Sequence, residues 1–77
     1  MQLDRIEGKP GILGGKPCVR GTRLSVEFLL ELFASGADRA DILRRFPELV
    51  DEDLTQVLQY AASSLRQGVD VVVGVRA

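Results

Sequence analysis

"SVEFLLELFASGADRADILRRFPELVDEDLTQVL", residues 25–58, alternates helical patterns with punctuation, and its reading decides the fold. Ser25 can cap a helix, and Glu27 falls in the first turn, where the helix dipole favours an acid. Val26, Leu29, Leu30 and Phe33 then recur at i, i+3, i+4 and i+7, the mark of an amphipathic helix. Phe28 and Leu32 add a second apolar edge, so this helix is expected to be central and covered on more than one side. Gly36 ends it as a C′ residue. Asp38 caps a second helix over Arg39–Arg45, with Ile42, Leu43 and Phe46 inward. Arg39, Asp41, Arg44 and Arg45 face solvent, and Pro47 stops the helix. Asp51 reads as a third N-cap. The third helix then runs to about Gln67, with Gly68 as its terminator and Leu54, Val57, Leu58, Ala61 and Leu65 as its apolar stripe.

Outward from this core the period changes. Residues 2–24 read as short strands joined by tight turns at "GKPG" (8–11) and Gly14–Gly15. Cys18 and Leu24 are the expected inward residues there. Pro10 and Pro17 cannot donate to a ladder, so these strands are edges or very short. On the other side, "VDVVVGVR" places Val69, Val71, Val73 and Val75 on one face, which is strand alternation in β-branched residues. The expected fold is mainly α with a small β element. It comprises a β-arm over 1–24, a three-helix helix-turn-helix core over 25–67 and a β tail over 68–77.

The chain has 77 residues and 45% hydrophobic content. That means one domain, with apolar surface enough for a small core and a partner face, and a homodimer is expected. Cys18 is the only cysteine and there is no histidine. No disulfide can form within the chain, zinc lacks its ligands, and the usual general base near neutral pH is missing. No cofactor or metal is expected. No apolar run approaches the roughly 20 residues of a membrane span, and the N-terminus lacks a signal-peptide pattern. A cytoplasmic location is expected. Residues 1–25 carry five cations and two acids, whereas residues 26–77 carry five arginines and nine acids. The split suits a basic arm on an acidic body, or oppositely charged surfaces that pack together.

"GGKPCVRGTR" (14–23) invites three chemical readings. A phosphate-binding Walker A loop fails twice: its first glycine would be Pro10, and its magnesium-binding hydroxyl would be Pro17. Cys18 has basic neighbours in Lys16 and Arg20 but no base partner, so a small buried hydrophobe is the simpler reading. The third reading is a set of backbone bends, with Arg20 and Arg23 as anchors on a phosphate or on a carboxylate across the fold. The acids Glu48, Asp51, Glu52 and Asp53 read as caps and solvated charge. No catalytic constellation emerges.

Three helices with tight turns suit nucleic-acid reading by the third. Its outer face would carry Thr55, Gln56, Gln59, Ser63 and Arg66, of which Gln can read adenine. Its acidic start would leave phosphate neutralisation to Arg20 and Arg23 of the arm and to Arg39, Arg44 and Arg45. The tail can complete the domain's own sheet or pair with a partner. Val71, Val73, Val75 and Arg76 are its expected partner-facing residues.

Residues 14–61 closely resemble the small prokaryotic domain-of-unknown-function family 433. The resemblance rests on Gly14–Pro17, Gly21–Arg23, Gly36, Ile42–Leu43, Pro47, Leu49 and Leu54. It implies a homeodomain-like helical fold with an N-terminal β element. It also implies an antitoxin encoded beside a PIN-like ribonuclease toxin, which it neutralises, together with repression of its own operon through DNA binding. Arg76 would then enter the acidic metal site of the nuclease. The competing expectation is a structural or dimerisation module without nucleic-acid contact.

Overall fold

Glycine placement and helix capping set the architecture. The structure, a computed structural model, describes residues 3–68. Strand β1 (Ile6–Gly8) pairs antiparallel with β2 (Pro17–Val19), with Ile6 opposite Val19 and Gly8 opposite Pro17. Helices α1 (Val26–Ala34), α2 (Arg39–Arg45) and α3 (Asp51–Gly68) follow. The fold is therefore mainly helical, with a two-stranded β element at its N-terminal side and a helix-turn-helix core.

The arm strands are as short as Pro10 and Pro17 lead one to expect, three residues each, because the glycines and prolines between them bend the chain. Leu13–Gly15 forms a single 3-10 turn, with Gly14 and Gly15 in the left-handed region at φ 66° and 84°. Gly8 has a different reason to lack a side chain. A Cβ there would lie 2.9 Å from the carbonyl oxygen of Gly15, so the two turns touch backbone to backbone. The Gly-Thr-Arg step is also a turn. The Thr22 hydroxyl donates to the Val19 carbonyl (2.9 Å) and accepts from the Leu24 N–H (3.0 Å). Leu24 returns to pair with Val19 (3.0 Å).

The capping signals at Ser25, Gly36 and Asp38 each act through a nameable bond. The Ser25 hydroxyl accepts from the Phe28 N–H at 2.9 Å. At the other end of α1, the Ala37 N–H reaches the Leu32 carbonyl and the Gly36 N–H the Phe33 carbonyl, a Schellman closure. Asp38 and Asp41 cap each other's backbone N–H groups reciprocally. The third start differs from expectation. Helix α3 begins at Asp51, so Asp51 lies in its first turn and Val50 precedes it. The Val50 N–H is satisfied from within the helix, by Asp53 Oδ2 at 2.8 Å.

The core consists of Val19, Val26, Leu29, Ile42, Leu49, Leu54 and Val57. Helix α1 packs on α3 and β2, while β1 and α2 pack on α3. Cys18 is buried too, its thiol donating to the Lys16 carbonyl at 3.3 Å. Leu58 and Leu65, placed in the α3 core stripe by their spacing, are instead 40% and 66% exposed. Helix α3 has 18 residues against nine in α1, about 27 Å against about 13 Å, so its second half extends past its cover.

Replacing Gly8 by Ala forces the Gly15 backbone to move. Urea denaturation is expected to show a loss of about 1–3 kcal/mol, the usual cost of overpacking. A substitution at exposed Ala40 of α2, Ala40→Ser, should stay within about 0.5 kcal/mol.

Candidate interaction site

Two features distinguish the surface from an ordinary solvated face. The first is a polar node where the arm meets the start of α3. Asp53 is 1% exposed and Gln56 is 4% exposed. Arg5 Nε bonds to Asp53 Oδ1, while Asp53 Oδ2 caps Val50. The Gln56 side-chain oxygen accepts the Arg5 backbone N–H at 2.9 Å, and its amide donates to Asp4 (2.9 Å) and Glu52 (3.0 Å). Every polar atom of the Gln56 side chain is engaged, so the expected outward position of Gln56 is corrected: it faces the arm. The arginine that reaches a carboxylate across the fold is Arg5, not Arg23.

A second set of bonds occupies more of the expected recognition face. Arg39 donates to the Asp51 carboxylate (2.8 Å), the Asp51 carbonyl (3.0 Å) and the Thr55 hydroxyl (2.6 Å). Thr55 is thereby tied to α2, and Gln59 is left half-buried on the same helix. These contacts set the charge states. The Gln56 amide, first among several causes, holds Asp4 below the usual carboxylate range. Asp51 is lowered chiefly by Arg39, and Asp41 chiefly by the Asp38 backbone N–H. Arg5 and Arg39 are raised, each mainly by its bond to an aspartate.

The exposed arginines fall into two groups. Arg20 lies 3.8 Å from Glu7, and Arg44 bonds Asp41 at 2.6 Å. Arg23, Arg45 and Arg66 form no ion pair among the described residues, and Arg45 sits 5.5 Å over the Phe46 ring. Phe46 in turn meets Phe28 edge to face at 5.9 Å. Val71, Val73, Val75 and Arg76, the expected partner-facing residues, and the expected β tail lie outside the described residues.

The second feature is an apolar groove of about 430 Å³ between β2, α1 and the overhanging half of α3. Pro17, Val26, Leu30, Tyr60, Ala61 and Leu65 line it. Lys16 and Glu27 also line it, and they pair with each other at 3.1 Å. The sequence carried a signal for it: the stripe ending at Leu65 runs beyond the length that α1 can cover. Among the described residues no cluster of three metal-ligating side chains occurs, and no helix is long and apolar enough to cross a membrane.

This geometry comes with relatives. The model of a family described as protein of unknown function (DUF433) matches residues 6–61. The chain belongs to the DUF433 family. A crystal structure of a DUF433 member protein from Anabaena variabilis ATCC 29413 superposes on it with a TM-score of 0.77 at 32% identity. The match covers 82% of this chain and 62% of that one, so the chain spans 62% of the length of the solved relative. No protein with a curated description matches it. The match over residues 6–61 takes in both strands and α3 as far as Ala61, including Asp53 and Gln56 but not their partners Asp4 and Arg5, and it stops before Leu65 of the groove.

Two measurements check these polar contacts. Gln56→Ala leaves the half-buried Arg5 N–H without its acceptor and removes a buried side chain, and it is expected to cost about 1–3 kcal/mol in urea denaturation. Gln59→Ala should cost under about 0.5 kcal/mol. For pH, the depressed carboxylates contribute stability that is complete above their unfolded values. It is lost as pH falls through the folded values, so the decline begins below about pH 4–5. Asp51→Asn removes part of that acid dependence and should flatten the thermal-melt profile between about pH 5 and 2.

Proposed function

We propose that the chain is a non-catalytic, cytoplasmic binding protein that acts as the antitoxin of a toxin–antitoxin pair. Its partner would be a PIN-like ribonuclease. The observation that carries the binding reading is the apolar groove. Leu30, Tyr60 and Leu65 are large side chains held on two rigid helices, and a groove of this kind suits anchoring by a few apolar side chains of a partner. The tail, with Val71, Val73, Val75 and Arg76, belongs to the same proposal as a strand for a partner's sheet. A homodimer belongs to it as well, built through a surface other than the groove.

DNA contact is the second reading, favoured by one observation: Arg23 and Arg45 are exposed without a carboxylate partner among the described residues. Arg20 and Arg44 would add to them once their acids release them. In this reading the phosphates are met by the arm and the end of α2, because Thr55 and Gln56 are engaged within the fold. Repression of the protein's own operon would follow.

Co-expression with the product of the adjacent reading frame tests the first reading. A complex is expected to survive purification. Leu65→Glu, at a 66% exposed position, should weaken it at least about tenfold, equivalent to about 1.4 kcal/mol, with the fold intact. Undiminished capture by that variant would refute the groove as the docking surface. For DNA, binding to the upstream sequence should weaken with salt, and Arg23→Ala should reduce the salt slope by about 1.

A further inference from the structure

The groove opens beside the end of α3, and the chain continues from there with its most β-prone segment. Leu65 lines the groove, and the valine-rich run begins four residues later. That run, "VDVVVGV" (69–75), combines β-branched residues, one charge and no proline, the composition of a segment that adds to exposed edges and aggregates when left bare. We propose that the groove is the docking site for this chain's own C-terminal segment, residues 69–77, which covers it in the free protein.

Length, chemistry and tethering all favour this occupant. Nine extended residues reach about 30 Å. The α3 side of the groove, from Leu65 back to Tyr60, spans only about 8 Å. Gly68 supplies a residue at which the chain can reverse, since it lacks the Cβ that penalises left-handed backbone. An extended segment would present Val69, Val71, Val73 and Val75 on one face, against an apolar lining of Pro17, Leu30, Tyr60 and Leu65. Asp70 and Arg76 would fall on the other face, toward solvent. Tethering a segment this close gives it an effective concentration of about 1 mM or more, so a modest intrinsic affinity suffices. The segment and an outside partner then compete for one surface. This deepens the reading of the groove as a binding site, and it makes displacement of the tail a step in partner capture.

Tyr60 makes the test direct, because it is the only tyrosine and the chain has no tryptophan. Its fluorescence therefore reports the groove alone. Acrylamide quenching is compared for the full chain, for a chain ending at Gly68, and for a full-length Val71→Asp, Val73→Asp variant, with thermal melts confirming that each is folded. The expected result is a higher quenching constant in both altered proteins than in the full chain. Adding the free peptide VDVVVGVRA at about 1 mM should restore protection to the truncated chain, since that matches the tethered concentration. Protection in the full chain should not change with protein concentration. Equal quenching in all three proteins would overturn the proposal. So would protection that rises with concentration alongside the mass from light scattering, which would assign the groove to a second copy. The experiment uses no partner protein, so its outcome is independent of the toxin-capture test.

Discussion

The fold depends on a buried carboxylate. Asp53 sits in the first turn of α3 with 1% of its surface exposed, and both of its oxygens are engaged. One accepts from the Arg5 guanidinium, and the other accepts the Val50 N–H that α3 leaves open at its start. A charge in that position is tolerable only because a cation, a cap and the positive helix end act on it together. The consequence reaches across the molecule. Arg5 precedes β1 directly, so the bond fixes the arm against α3, and the arm carries β2 to the side of α1. Gln56 reinforces the same seam by taking the Arg5 N–H and returning two bonds to Asp4 and Glu52.

That seam explains how the surface is divided. The first half of α3 directs its polar side chains inward, to the arm and to Arg39, and has few left to offer a ligand. Its second half extends beyond α1 and exposes apolar residues instead. A helix whose spacing suits a DNA reader thus becomes a structural strut at one end and an exposed apolar wall at the other. The arm's basic character survives only at Arg23, because Glu7 draws Arg20, Lys9 and the Gly21 N–H toward itself.

What could be read from the sequence follows from the range of the forces involved. Ser25, Gly36, Asp38 and Pro47 act on backbone groups within five residues, so the limits of α1 and α2 were legible to within a residue. The inward turn of Asp53 and Gln56 was not, because its cause, Arg5, lies 48 residues away from Asp53. Spacing held a partial clue: Asp53 and Gln56 adjoin Leu54 and Val57, the two fully buried hydrophobic residues of α3. Polar residues beside a buried stripe read equally well as a solvated edge when no partner is in view. The exposure of Leu58 and Leu65 was hidden for a related reason. Periodicity states which residues share a face, and only the lengths of the neighbouring helices decide whether that face is covered.

The central claim is that Asp53 serves the fold through Arg5. A double-mutant cycle measured by urea denaturation tests it most directly, using Arg5→Ala, Asp53→Ala and the pair. If the two side chains act as one unit, the double variant will be scarcely less stable than Asp53→Ala alone, and the single losses will fail to add. Losses that add in full would contradict the account, since the two residues would then be supporting the structure independently.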